Sequence, residues 1–159
     1  MTSLSLDIQT KINHWLQKYP PDQKQSAVMA ALSIVQDAHG GWLTTEHMDA
    51  IADYLEMPKI AVYEVASFYS MYELKPVGRH KLCICTNVSC MLRGCQTIVE
   101  HLENRLGIKM GETTPDGRVT LKPVECLASC GTAPVMQMGR KYYESLTTDK
   151  IDQILETLE

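Results

Sequence analysis

The sequence predicts an α+β protein: an N-terminal helical bundle over residues 1–76, then residues 77–159 in the order βαβ-ββ-α. Three observations carry this. Apolar residues recur every three or four positions up to about residue 76. From Arg79 onward, short apolar runs bounded by turn residues alternate with amphipathic segments. A chain of 159 residues is long enough to bury a real core in one domain or a small pair.

In the first half, Leu6, Ile8, Ile12, Trp15 and Leu16 mark a helix that Tyr19-Pro20-Pro21 stops. A second helix follows the prolines, with Val28, Met29, Leu32, Ile34 and Val35 apolar. It ends at Gly40-Gly41, where a left-handed cap needs no Cβ. Thr44 is placed to cap a third helix, with Glu46 in its first turn favourable to the dipole. Met48, Ile51, Ala52 and Leu55 form its apolar face. Pro58 fits the first turn of a fourth helix, "PKIAVYEVASFYSMYEL". Its Ile60, Tyr63, Phe68, Met71 and Tyr72 cannot share one stripe. This helix is therefore expected to be covered on more than one side, at the centre of the bundle or against another polypeptide.

In the second half, "HKLCICT" reads as a strand and "MLRGCQTIVEHLENRLG" as a helix ending at Gly107. "PDGRVTLKPVEC" is a turn at Asp116-Gly117 feeding a second strand. "APVMQM" and "RKYYESL" flank Gly139 as arms of a hairpin, and Thr147 caps a last helix carrying Ile151, Ile154, Leu155 and Leu158. A right-handed crossover makes the first two strands parallel, the hairpin joins antiparallel, and helices cover the sheet. That order is the thioredoxin arrangement.

Composition excludes several classes. Apolar residues make up 45% and charged residues 21%, as in ordinary globular chains. A formal charge of −4 argues against a nucleic-acid partner, which wants a basic face. "TTEHMDAIADYLEMPKIAVYEVASFY" has the rhythm of a helix-turn-helix, but its second helix offers only Lys59 at its start. No apolar run is long enough for a membrane span, so no direct membrane insertion is expected. The start, "MTSLSLDIQTKINHW", lacks the layout of a secretion or transit signal, which points to the cytoplasm. In that reducing compartment, clustered cysteines favour metal or redox roles over structural disulfides.

Six cysteines are present. Cys85 ends the first strand, Cys90 stands just before the helix, Cys126 ends the second strand and Cys130 lies in the following loop. The carboxyl ends of parallel neighbours meet at one edge of a sheet, so these four thiols converge on one rim, spaced C-x4-C and C-x3-C. A thioredoxin-type C-x-x-C is absent. A zinc site of four cysteines tolerates such loops, although the tight C-x-x-C knuckle is missing. A [2Fe-2S] cluster takes four thiolates as two pairs, which two loops can supply, in an order unlike plant-type ferredoxins. A Rieske centre needs two histidines, and only His80 is near; His14, His39, His47 and His101 read as solvated. Cys83 lies roughly 7 Å back along the strand. It and Cys95, inside the helix, read as small buried hydrophobes.

"CTNVSCMLRG", "GETTPDGRVTLKPVECLASCGTAPVMQ" and "YYESLT" together closely resemble the thioredoxin-like [2Fe-2S] family typified by the E-type subunit of NADH-quinone oxidoreductase (complex I). The likeness extends upstream through "GGWLTTEHMDAIADYLEMPKIAVYEVASFYSMYEL". Related subunits occur in NAD-reducing hydrogenases and NAD-dependent formate dehydrogenases. The resemblance implies Cys85, Cys90, Cys126 and Cys130 as ligands of one [2Fe-2S] cluster. It implies an oxidoreductase subunit with no complete active site of its own, which exchanges single electrons with FMN in a partner NADH-binding flavoprotein subunit. FMN and NADH would be bound by that partner, within the peripheral arm of complex I on the cytoplasmic side of a bacterial inner membrane. A zinc-stapled adaptor is the remaining alternative. Ala128 stands where glycine is expected, Cys95 where serine is usual, and the hairpin around Gly139 looks slightly short.

The residues agree with a carrier role, since "HGGW" follows a helix rather than a strand and no dinucleotide loop exists. An oxidised [2Fe-2S] centre with four thiolates carries about −2, and about −3 once reduced, so amides and cations must offset the added electron. The helix start after Cys90 and Arg93 are the expected offsets. Pro134 occupies the place where thioredoxin folds carry a cis-proline before a strand. The sequence leaves its isomer open, trans being the statistical default.

Overall fold

Ser5, in extended conformation, accepts the Ile8 N–H and opens α1 (Leu6–Leu16) in the computed structural model, which describes residues 4–158. The chain divides into two units, Met1–Pro76 and Val77–Glu159.

In the first unit, α2 (Val28–Ala38) is preceded by a 3-10 turn, Lys24–Ala27, so the regular helix begins later than the prolines suggest. Thr44 caps α3 (Thr45–Leu55) through a reciprocal box. Its hydroxyl accepts the His47 N–H at 3.2 Å, and His47 Nδ1 accepts the Thr44 N–H at 3.2 Å. Ile8, Ile12, Leu32, Val35, Ile51 and Leu55 from these helices share one core. Leu6, expected on the apolar face of α1, is instead 81% exposed.

The fourth helix departs most from expectation. α4 (Lys59–Phe68) begins after Pro58, which serves as its N-cap, and stops at Tyr69, which turns extended. Gln36 explains the stop. Its side chain, 9% exposed, donates to the Met71 carbonyl at 3.2 Å and accepts the Glu73 N–H at 2.7 Å, holding the segment after α4 against α2. Tyr72 is buried from that segment and donates to the Met29 carbonyl. Val62 and Ala66 face the core, whereas Ile60, Phe68 and Met71 stay exposed, so this unit covers α4 on one side only.

The second unit is a four-stranded sheet of order β2-β1-β3-β4. β1 (His80–Cys85) runs parallel to β2 (Val119–Val124) and antiparallel to β3 (Met136–Met138), and β3 pairs antiparallel with β4 (Lys141–Tyr143). Leu82, Ile84, Leu121 and Met136 project from one face onto α6 (Cys95–Leu106) and α7 (Thr148–Glu156), through Ile98, Leu102 and Ile151. The other face carries half-buried Cys83 and Gln137. Gly78 precedes β1 where a Cβ would sit 3.0 Å from the Arg118 and Val119 backbone, so any larger residue would push against the turn that leads into β2. The expected single helix after β1 is two. A short α5 (Val88–Leu92) ends at Arg93, and Gly94, at φ +86, turns the chain into α6. Thr147 caps α7 by accepting the Lys150 N–H. The Ala133–Pro134 bond is cis rather than the default trans.

Candidate metal centre

β1 and β2 are parallel neighbours with Cys85 opposite Val124, so both chains leave the sheet at one rim. Cys85 is the last residue of β1 and is 2% exposed. Cys90 lies inside α5, not before a helix as expected, and is 1% exposed. Cys126 lies two residues past the end of β2 rather than at it, on the exposed side. Cys130 opens the one-turn helix Cys130–Thr132, also exposed. The crossover geometry thus brings both loops to one edge, as the element order anticipates.

The sulfurs sit among hydrogen-bond donors. Burial pushes the Cys85 thiol up, but N–H groups of Asn87 and Leu127 and the thiols of Cys90 and Cys126 outweigh it and hold Cys85 below the usual thiol value. Burial, then the hydrogen bond to Cys85, pushes Cys90 up to about 11, while the Val135 N–H pulls the other way. The Ala128 N–H donates to Cys126 Sγ at 3.2 Å. Ala128 has φ 56, the left-handed region, which accounts physically for the glycine expected there. Amides aimed at sulfur favour the thiolate, which is the form that binds metal.

Cys85 therefore gathers Cys90 and Cys126 directly, and Cys130 stands on the lip of the second loop without joining that thiol network. Among the described residues no three His, Cys, Asp or Glu side chains stand close enough to share a single ion. A two-iron core needs two thiolates per iron. The donor set fits such a core in kind: thiols at the carboxyl ends of two neighbouring strands, over a rim lined with N–H groups.

Cys95 opens α6 and packs, 3% exposed, with Cys85, Cys90, Leu127, Ala133 and Val135; burial pushes its thiol up. Arg93 is the exposed cap at the end of α5 rather than a first-turn residue of the long helix. The expected amide offset comes from the Asn87 turn and the Leu127–Ala128 loop.

Three residues escape sequence reasoning. Ser129 and Thr132 flank Cys130, and their hydroxyls reach Glu144 Oε1 at 2.6 and 2.8 Å. Hydroxyl residues on both sides of a candidate ligand are the available signal.

Residues 12–159 match the family described as thioredoxin-like [2Fe-2S] ferredoxin. The E-type NADH-quinone oxidoreductase subunit of Rickettsia conorii is 44% identical over 144 residues, covering 91% of this chain and 86% of that protein. The E-type NADH-quinone oxidoreductase subunit of Rhizobium meliloti that bears the number 2 is 45% identical over 140 residues, covering 88% of this chain and 82% of that protein. Among solved structures, an NAD+-reducing [NiFe]-hydrogenase in the air-oxidized state matches 79% of the chain with a TM-score of 0.68 at 21% identity, a likeness of fold. The chain spans 22% of that hydrogenase chain. Among the described residues, no helix is long and apolar enough to cross a membrane. By sequence over nearly its whole length, by fold and by the thiols at its sheet rim, the chain belongs to the thioredoxin-like [2Fe-2S] ferredoxin family.

Proposed function

We propose that this chain is the electron-carrying E-type subunit of a bacterial NADH:quinone oxidoreductase, with Cys85, Cys90, Cys126 and Cys130 as ligands of one [2Fe-2S] cluster. The observation that carries the reading is the rim itself: Cys85 in reach of both Cys90 and Cys126, with Cys130 on the same loop as Cys126. A cluster held there would supply one-electron chemistry, suited to exchange with the FMN of an NADH-binding flavoprotein subunit. The chain's own residues do the rest. The Asn87, Leu127 and Ala128 amides offset negative charge at the sulfurs, and Leu127, Ala133 and Val135 keep water from the inner side. Exposed Ile60, Phe68 and Met71 are the kind of surface that a member of a larger complex buries. In this reading the chain sits in the peripheral arm, on the cytoplasmic side of the inner membrane.

The corresponding subunit of an NAD-reducing hydrogenase or formate dehydrogenase would use the same site. Identity of 44% and 45% to the quinone-linked proteins favours the first reading.

The test is anaerobic purification, a visible spectrum, and iron, sulfide and zinc analysis of the full chain and of single Cys→Ser variants. Iron and sulfide in equal amounts are expected, lost or spectrally altered in variants at 85, 90, 126 and 130 and kept at 83 and 95. Colourless protein with stoichiometric zinc would overturn the assignment.

A further inference from the structure

We infer that Glu144 is a positioning residue for the loop that carries Cys126 and Cys130. The inference rests on the ligand reading above and adds to it a residue remote in sequence. The loop from Cys126 to Pro134 contains a left-handed residue, Ala128, and a single turn of 3-10 helix. So short a turn has few hydrogen bonds of its own: Thr132 N–H to the Ser129 carbonyl at 3.1 Å, and Ala133 N–H to the Cys130 carbonyl at 3.5 Å. Cys130 is exposed, so packing does not hold it either. What holds the turn is the segment after β4.

One oxygen of Glu144, Oε1, accepts both hydroxyls that flank Cys130: Ser129 at 2.6 Å and Thr132 at 2.8 Å. Those hydroxyls lie 2.8 Å apart, so the carboxylate closes the turn like a staple across its base. The backbone continues the stitch. Ser145 N–H donates to the Thr132 carbonyl at 2.6 Å, and Leu146 N–H to the Pro134 carbonyl at 3.1 Å. The staple is itself anchored. Lys150, in the first turn of α7, donates to the carbonyls of Glu144 and Ser145, at 3.4 and 3.0 Å. The two hydroxyl bonds also hold the Glu144 carboxyl below its usual range, so it is anionic and a strong acceptor at neutral pH.

Ligands carried on a loop need a supporting shell to keep their geometry through a change of charge, and partners one step removed from the metal supply it. Cys85 and Cys90 are held by burial, whereas Cys130 depends on this acceptor. Glu144 touches no thiol; it acts through Ser129 and Thr132.

The experiment uses the full chain with its cluster assembled anaerobically. For wild type, Glu144→Ala and Glu144→Gln, two quantities are measured: the electron paramagnetic resonance spectrum of the reduced protein, and the rate of iron loss to a chelator. Glu144→Ala should shift the g-values and lose iron roughly three- to tenfold faster, the factor that the net loss of about one solvent-exposed hydrogen bond commands. Glu144→Gln keeps an acceptor and should restore most of both. Should Glu144→Ala fail to fold, Ser129→Ala with Thr132→Ala removes the donors instead and should show the same changes. Rates within twofold of wild type and an unchanged spectrum in either variant would overturn the inference, as would a glutamine variant no better than alanine. Cys130→Ser runs alongside: if it keeps the wild-type spectrum, the ligand reading falls. If it loses the cluster while Glu144→Ala is unchanged, only the positioning role falls.

Discussion

Replacing Gln36 with methionine should destabilise the helical unit by about 1–3 kcal/mol. Methionine keeps the length and apolar stem of the side chain but removes both polar atoms. The Met71 carbonyl then loses its 3.2 Å donor and the Glu73 N–H its 2.7 Å acceptor. Each neutral hydrogen bond contributes a net ~1 kcal/mol, and a buried group left without a partner adds to that. Met71 is half exposed, so water can reach the freed carbonyl, and the upper end of the range is not expected. Other ties of this segment remain: Leu43 N–H to the Glu73 carbonyl and the Tyr72 hydroxyl to the Met29 carbonyl. For a unit of this size about 1 kcal/mol corresponds to a 4–8 °C change in Tm, so a fall of about 5–20 °C is expected. The assay is built into the chain. Both tryptophans, Trp15 and Trp42, belong to the first unit, so their fluorescence during urea or thermal unfolding reads that unit. A midpoint change equivalent to less than about 0.5 kcal/mol would refute the idea that Gln36 ends α4 and fastens the segment behind it.

The other predictions concern charge. Burial and the neighbouring His39, whose ring lies 4.1 Å away, hold the His47 pKa below its ordinary value. Between that lowered value and about 6.5 the unfolded chain binds more protons, so stability rises with pH there and is lost as pH falls through the window. Tryptophan-monitored unfolding should show the loss on acidification. His47→Gln should flatten the slope, and equal slopes would sink the assignment. Arg93→Glu should lower the reduction potential of the assembled cluster, because an anion replaces a cation beside α5 and disfavours electron gain; the effect should shrink as salt is raised. An unchanged potential at low salt would show that the exposed guanidinium does not reach the site.

By itself the sequence determined the order of the elements, the caps at Thr44 and Thr147, and the delivery of Cys85 and Cys126 to one sheet edge. These are short-range properties: a cap needs only its next three residues, and parallel pairing follows from a β-α-β order. The tertiary structure alone decided where α4 ends, because the Gln36 tether crosses 35 positions between element ends that no periodicity links. It also decided how the helix after Cys90 divides. Gly94 is visible in the sequence as a possible breaker, but only packing selects the left-handed turn that gives Cys90 its own short helix and places Cys95 against Cys85. The Glu144 staple belongs with these, since a carboxylate 12 to 15 residues away becomes a neighbour only once β3 and β4 fold back. Local chemistry writes the elements; contacts between residues distant in sequence decide which groups share a site.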